Sequence, residues 1–203
     1  MTEIANLDDL RRVYAAPHEM ALRKELDHID RHSREFIERA PLVVVSTADA
    51  DGWPDASPRG DAPGFVTVVD DKRLHLPDRP GNNRLDSFQN LLSNARIALL
   101  FMVPGRLETL RVNGTARLMT DPELINQHAV NGKPARAVVE IVAKSVYFQC
   151  GKALVRSALW QPEKWPSLAG LASFAEALAD QIKGLDKAAS ERRLERAYRD
   201  SLY

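Results

Sequence analysis

The residues best suited to chemistry lie in the stretch PDRPGNNRLDSF, residues 77–88. It sets Arg79 and Arg84 beside two asparagines and a Pro-Gly turn. The apolar residues that follow recur at helical spacing, which predicts a short helix over residues 83–92. A helix start presents unpaired N–H groups and the positive end of the helix dipole, so the stretch can bind a phosphate. The same residues are also typical of an ordinary turn with a solvated arginine, and that alternative stays open.

Two further regions contain cations that can face the same ligand. Arg59 lies in the run SPRGD, and Arg111 lies on a predicted strand. Antiparallel barrel strands bring distant positions side by side, so these arginines can line one groove. Local sequence alone favours a surface ion pair between Arg59 and Asp61. On a helix, Lys152 and Arg156 project from one face, where they either bind an anion or are solvated.

Cysteine and histidine give no sign of a nucleophile or a metal site. Cys150 is the single cysteine, which excludes an internal disulfide and a Cys-rich zinc site, and we expect it to be a small buried residue. His28 and His32 lie one helical turn apart without a third ligand nearby, which is typical of a surface pair. The signatures GxSxG, GxxxxGK[ST] and GxGxxG do not occur, so hydrolase, P-loop and Rossmann assignments have no support.

The charge balance argues against a nucleic-acid-binding protein. Lys plus Arg and Asp plus Glu both number 28, and aromatic residues make up only 6%, so a basic groove with interleaved aromatics is not expected. The first residues do not resemble a secretory signal, and no stretch approaches the roughly 18 apolar residues of a membrane span. We therefore expect a cytoplasmic protein that interacts with neither nucleic acid nor membrane.

The hydrophobic pattern predicts strands in the middle of the chain and helices at both ends. Apolar residues from Leu22 to Ile37 recur at spacings of three, four and seven, which predicts a helix that Pro41 closes. Asp51-Gly52 is a strong hairpin turn signal. The alternating run after Pro104-Gly105 predicts a long strand with a bulge near its glycine.

These elements predict one domain over residues 1–203. Residues 1–40 would form the N-terminal helices, residues 41–150 the barrel, and residues 151–203 a helical tail. About six strands around one or two short helices indicate a mainly β fold, a β-barrel with helical additions.

Four runs of the sequence together resemble the FMN-dependent flavoproteins related to pyridoxamine 5′-phosphate oxidase. In chain order they are SPRGDAPGFVTVVDD, LHLPDRPGNNRLDSFQNLL, ALLFMVPGRLETLRVNGTARL and CGKALVRSALW. The resemblance implies a six-stranded split β-barrel, the FMN-binding split barrel. It also implies a homodimer with FMN bound at the subunit interface.

The resemblance implies which residues hold FMN. The residues that match the phosphate grip are Asn82, Asn83 and Arg84. Those that match the segments beside the flavin ring and ribityl chain are Arg59, Asp61, Phe65, Val66, Leu76 and Pro77. Those that match flavin-facing positions of the next strand are Thr109 and Arg111. Those expected to approach from the partner subunit are Lys152, Arg156 and Ser157.

The function that the resemblance implies is hydride or electron transfer through flavin N5 on an unknown small molecule. A cation near N1 and the C2 carbonyl favours the anionic reduced flavin, and the candidates are Arg111 and Lys152. A non-catalytic FMN carrier or redox sensor is the alternative, and a deazaflavin or haem in place of FMN also stays open. Pyridoxamine 5′-phosphate oxidase activity itself is less expected, because the Arg-x-His motif and the Arg-Leu-x-Pro strand are missing. Gln149 stands where family members often have His.

Overall fold

The computed structural model describes residues 3–203, in which the strands form one seven-stranded sheet. The strands are β1 (Leu42–Ala48), β2 (Pro54–Gly60), β3 (Thr67–Val68), β4 (Arg73–Pro77), β5 (Arg96–Met102), β6 (Thr109–Met119) and β7 (Val138–Gln149). Their order is β2-β1-β5-β6-β7-β4-β3, and neighbouring strands are antiparallel. The mainly β split barrel is confirmed, and its sheet is not closed. It has seven strands rather than six because the two residues of β3 pair with β4.

The alternation of side chains along the strands builds the core. In β1 and β5 every second residue is buried, including Val43, Leu99 and Phe101, none of which is exposed at all. β-Branched and aromatic side chains fit such a pleated, half-buried surface. Removing each from water stabilises the fold by roughly 1.5–3 kcal/mol. The barrel interior is therefore a packed core, and any ligand must bind at its rim or on its outer surface.

Helices lie at both ends of the chain and between strands. They are α1 (Leu7–Val13), α2 (Glu19–Arg23), α3 (Arg31–Ile37), α4 (Asp86–Ser93), α5 (Pro122–Gln127), α6 (Lys152–Ser157), α7 (Phe174–Gln181) and α8 (Lys187–Asp200). Asp121 caps α5, which begins at Pro122. The helix α4 packs against β1, β2 and β6, and this contact fixes where α4 begins relative to the end of β2.

The helix predicted to extend from Leu22 to Ile37 is wrong as a continuous element. Leu26 instead forms an isolated antiparallel bridge, in which its N–H donates to the Val146 carbonyl at 2.9 Å. A new helix, α3, then begins after Asp30, whose carboxylate accepts the Ser33 N–H at 2.8 Å. Pairing with β7 therefore overrides the helical periodicity between α2 and α3.

The predicted bulge in β6 is confirmed at Asn113 and Gly114, where the register against β7 shifts. A Cβ atom on Gly114 would lie 2.1 Å from the Val142 carbonyl oxygen, so this close approach of two strands requires glycine. Thr109 and Arg111, on the N-terminal side of the bulge, therefore belong to a different patch of the sheet from the residues beyond it.

The helical tail folds back on itself and returns to the barrel. The helices α7 and α8 pack against each other, and Lys187 Nζ lies 2.9 Å from a Glu176 carboxylate oxygen. The Tyr203 hydroxyl donates to Asp61 Oδ1 at 2.7 Å, across 142 residues of sequence. Within residues 3–203, none of the helices combines the length and apolar character needed to cross a membrane.

Candidate functional site

A cleft of about 350 Å³ opens where β2, β4 and the start of α4 meet. Its lining residues include Asp55, Ser57, Arg59, Phe65, Pro77, Asp78, Arg79, Asn82, Asn83, Arg84, Asp86 and Ser87. The alternation of β2 turns Asp55, Ser57 and Arg59 to one side, and the loop that follows β4 forms the opposite wall. The sequence stretch singled out for anion binding thus forms much of this cleft.

The loop before α4 has an unusual backbone. Asn83 and Leu85 have φ angles of +59° and +60°, and α4 begins at Asp86 rather than at Asn83 as predicted. Left-handed backbone at a non-glycine residue costs about 1–3 kcal/mol, and it persists where the surrounding structure imposes it. The Arg84 N–H donates to Asn82 Oδ1 at 3.0 Å, which helps to fix the loop.

The start of α4 is open to a ligand. Within the part of the chain that the structure describes, no side chain caps this helix, because its N-cap residue is Leu85. The Phe88 N–H donates to the Leu85 carbonyl at 2.9 Å, so among the described residues the Asp86 and Ser87 N–H groups are the ones left to donate to an anion, and the helix dipole favours negative charge there.

Three arginines of the cleft are each opposed by a carboxylate. Arg59 Nη1 lies 3.0 Å from Asp78 Oδ1, and Arg79 Nε lies 2.8 Å from Asp61 Oδ2. Arg84 pairs with Asp86, the first residue of α4. The predicted pairing of Arg59 with Asp61 is therefore wrong: Asp61 lies beyond the end of β2 and reaches Arg79, while Arg59 crosses the cleft to Asp78.

The two buried carboxyl groups differ in their pKa shifts. Burial raises the pKa of Asp78, although the Arg59, Arg136 and Arg79 charges act in the opposite direction. For Asp61, burial also opposes ionisation, but hydrogen bonds from Tyr203, the Ala62 N–H and Arg79 outweigh it and lower the pKa. Asp78 is therefore the carboxyl that takes up a proton more readily when an anion enters the cleft.

Sequence reasoning missed two sets of residues that line the cleft or support its lining. Arg136, in the loop before β7, donates to Asn83 Oδ1 at 2.8 Å across 53 residues. The hydroxyl of buried Ser87 donates to Asp55 Oδ2 at 2.6 Å and ties α4 to β2. No local motif marks these residues, because strand order and the docking of α4 bring them together.

The predicted site residues fall into separate groups. Those that line the cleft are Arg59, Phe65, Pro77, Asn82, Asn83 and Arg84. Asp61 contacts the cleft through Arg79, which it positions. Val66 and Leu76 have buried side chains in the barrel core, so only their main chain can border a ligand.

The remaining predicted residues lie on β6 and α6, outside the cleft lining. Arg111 donates to the Tyr147 hydroxyl at 3.0 Å and to Gln149 Oε1 at 2.8 Å, and these bonds fix its guanidinium. Thr109 pairs with Gln149 in the sheet. The structure therefore joins Thr109 and Arg111 to Gln149.

A shallow depression adjoins these residues, and we call it the α6 surface. It is lined by Leu107, Glu108, Gly151, Lys152, Val155 and Arg156. Leu107 and Val155 are 41% and 54% exposed, and Ser157 is exposed at the end of α6. Cys150 is exposed as well, and the expectation that it is buried is wrong because it lies between Gln149, the last residue of β7, and the start of α6.

Comparison with known proteins places this fold among the split barrels of the pyridoxamine 5′-phosphate oxidase type. The model of the family described as pyridoxamine 5′-phosphate oxidase matches residues 29–150. HupZ of Group A Streptococcus shares 24% identity over 60% of this chain and 94% of its own, with a TM-score of 0.50. This likeness shows the fold.

Two further structures are more distant. A Clostridium acetobutylicum protein related to general stress protein 26, of the pyridoxinephosphate oxidase family, is 18% identical over 59% of this chain and 86% of its own, with a TM-score of 0.44. HutZ, the heme storage protein of Vibrio cholerae, is 14% identical over 60% of this chain and 94% of its own, with a TM-score of 0.41. Among curated proteins, none matches the chain.

Proposed function

This chain belongs to the pyridoxamine 5′-phosphate oxidase family, and from that premise we propose that it is an FMN-dependent oxidoreductase acting on a small molecule. The observation that carries the proposal is the cleft, where the uncapped start of α4 meets three arginines. Its volume of about 350 Å³ is near the lower end of the roughly 300–1,000 Å³ typical of ligand sites. A phosphate ester would find backbone and guanidinium donors there.

The phosphate end of FMN would lie at Asn82, Asn83 and Arg84. The Arg84 side chain is 78% exposed and, within residues 3–203, its one ion pair is with Asp86 at the start of α4. Such an exposed pair contributes about 0–1 kcal/mol. Arg84 can therefore exchange this carboxylate for a phosphate at little cost, and the phosphate then occupies the open start of α4.

The ring and ribityl chain would lie along β2 and the end of β4. Arg59 and Phe65 line this side, and Pro77 closes it. The Arg59 guanidinium carbon lies 5.4 Å from the centroid of the Phe88 ring, so contacts on two sides hold it in place. We expect the main chain from Asp61 to Val66 to border the ligand here.

We further propose that residues 1–203 act as one domain and that two copies form the complete site. Thr109, Arg111, Lys152, Arg156 and Ser157 do not line the cleft of their own chain. The α6 surface exposes apolar side chains beside its cations, which favours association with a second copy. These residues would then face the cleft of the partner subunit.

FMN would supply the hydride or electron acceptor, and the chain would supply orientation and charge. Arg111 is the better candidate for the cation beside N1 and the C2 carbonyl, because Tyr147 and Gln149 hold its guanidinium in one orientation. Lys152, on the exposed face of α6, is the second candidate.

The first experiment is a visible absorption scan of the purified protein, followed by chromatographic identification of any released chromophore. Released FMN supports the proposal. A released deazaflavin or haem would contradict FMN as the cofactor and would leave the fold assignment unchanged. Bound FMN that neither NADH, NADPH nor a reduced deazaflavin reduces would favour the carrier or sensor. Oxidation of pyridoxamine phosphate would identify the narrower activity.

The phosphate assignment is tested by Arg84→Ala, with Arg96→Ala, an exposed arginine on β5, as the matched control. Loss of one charged donor to the phosphate should weaken FMN binding about tenfold to 100-fold, and riboflavin binding should change little. Equal FMN affinity in both variants would overturn the assignment.

A further inference from the structure

Tyr203 docks on an ion pair at the edge of the cleft. Its hydroxyl donates to Asp61 Oδ1 at 2.7 Å, and its ring centroid lies 5.8 Å from the Arg79 guanidinium carbon. Lys133 Nζ donates to the Tyr203 carbonyl oxygen at 2.8 Å. The Asp61 side chain is only 4% exposed. The end of the helical tail thus helps to cover a charge pair of the barrel.

The ion pair connects Tyr203 to the cleft through Arg79. Arg79 Nε donates to Asp61, and Nη1 donates to the His128 carbonyl oxygen at 2.8 Å. Arg79 itself lines the cleft, in the loop that continues to Asn82 and Asn83. Two of the Arg79 nitrogens therefore donate to protein acceptors. These two bonds set the orientation of the guanidinium, and the rest of the group can donate to a ligand.

Tyr203 strengthens this arrangement in two ways. Its hydroxyl occupies the Asp61 oxygen that Arg79 Nε does not use, so the carboxylate is held at both oxygens. Its ring covers the guanidinium and excludes water, and an ion pair shielded from water is stronger. Without the ring, both groups of the pair would be solvated and free to reorient.

We propose that Tyr203 is a positioning residue for the phosphate of the cofactor: by docking on Asp61 and Arg79, it holds the loop of residues 78–84 in the conformation that binds the phosphate. The inference rests on the proposed function, since it presumes that a phosphate ester binds in the cleft. Coupling between two sites is reciprocal. Phosphate binding therefore stabilises the docked tail to the same extent that the docked tail favours the phosphate.

The first test compares FMN with riboflavin, which lacks the phosphate, in fluorescence titrations. Tyr203→Phe keeps the ring and loses the hydrogen bond, so FMN should bind about fivefold more weakly. Tyr203→Ala also loses the ring, and the loss should reach about 20-fold. Riboflavin affinity should stay within about twofold in both variants. Tyr198→Ala, an exposed tyrosine on the same tail, is the control and should bind both ligands as wild type does.

The second test measures the reverse direction of the coupling by limited trypsin digestion of the full chain. The cleavage sites are the arginines of α8, namely Arg192, Arg193, Arg196 and Arg199. FMN and inorganic phosphate should slow cleavage there in the wild type, riboflavin should not, and Tyr203→Ala should be cut quickly with every ligand. A melting curve of each variant identifies loss of folding, and Tyr203→Phe keeps the test valid if Tyr203→Ala unfolds.

The outcomes separate the two proposals. A wild-type chain that binds neither FMN nor riboflavin overturns the proposed function and, with it, this inference. A wild-type chain that binds FMN while Tyr203→Phe and Tyr203→Ala bind it equally well overturns the inference alone. Equal losses for FMN and riboflavin would also overturn it, because they would mean a general structural role rather than positioning of the phosphate loop.

Discussion

The cleft and the α6 surface both carry cations expected at a cofactor, but they are built differently. In the cleft, Arg59 and Arg79 pair with carboxylates whose side chains are only 8% and 4% exposed. On the α6 surface, Lys152 and Arg156 are exposed and lie beside the apolar side chains of Leu107 and Val155. One region is already organised within a single chain, and the other offers charge next to uncovered apolar surface.

This difference indicates that the cleft and the α6 surface contribute to cofactor binding in different ways. Partly buried arginines that are paired with buried carboxylates keep their orientation before a ligand arrives, so little entropy is lost on binding. An exposed apolar depression gains its stabilisation only when another surface covers it. We therefore expect the cleft to determine affinity for the phosphate ester, and the α6 surface to determine whether a second copy completes the site.

The largest effect should follow from breaking a charge pair of the cleft. In Arg59→Ala, the buried Asp78 carboxylate loses its partner and faces the incoming phosphate, so FMN should bind on the order of 100-fold more weakly. Fluorescence titration measures this, with Arg96→Ala as the control. Adding Asp78→Asn to Arg59→Ala should recover part of the loss. A double variant as weak as the single one would show that Arg59 acts by direct contact and not through Asp78.

The next effect tests the α6 surface while leaving the cleft intact. Val155→Glu places a charge on an apolar side chain that is 54% exposed in one chain. If a second copy covers this position, burying the unpaired carboxylate costs several kcal/mol, and light scattering should report a monomer. FMN affinity should fall about tenfold or more, because the site is then half complete. Leu92→Glu, at an 80% exposed position of α4, is the matched control.

A smaller effect should follow from displacing α6 without changing a charge. A Cβ atom on Gly151 would lie 2.6 Å from Leu107 Cβ and 2.9 Å from the Leu107 carbonyl oxygen. In Gly151→Ala the start of α6 must therefore shift away from Leu107, which lies just before β6. We expect a loss of about 1–3 kcal/mol in the free energy of unfolding and a weaker dimer, measured by urea denaturation and light scattering. Unchanged values for both would show that the contact relaxes without consequence.

Local signals in the sequence were sufficient for most elements of the barrel. The Asp51-Gly52 hairpin turn and the bulge at Gly114 were predicted because each depends on residues close in sequence. The helix predicted through Leu26 failed because a distant strand, β7, offers that segment a backbone partner. Local periodicity cannot report such a long-range competitor.

The residues of the candidate site show the same distinction between local and long-range signals. Asn82, Asn83 and Arg84 were identifiable because they are consecutive and precede a helix. The partner of Arg59 was predicted to be the neighbouring Asp61, whereas strand pairing and the loop after β4 bring Asp78 to it. Arg136 had no signal at all, because only the tertiary structure brings it to Asn83.

The smallest effect concerns protonation at the edge of the cleft. His128 contacts the His75 ring at 5.7 Å between centroids, its carbonyl accepts from Arg79, and its Nε2 has no hydrogen-bond partner among the described residues. Burial, then the charges of His75 and Arg79, lower the pKa of His128 from its ordinary value of 6.5. Below about pH 6.5 the unfolded chain therefore binds more protons than the folded one, so stability falls as pH falls. His128→Gln should lose less stability than wild type between pH 7.5 and pH 5.5 in urea denaturation. Equal losses in both proteins would show that His128 titrates alike in the folded and unfolded chains, and that its position at the cleft edge adds no acid sensitivity to the fold.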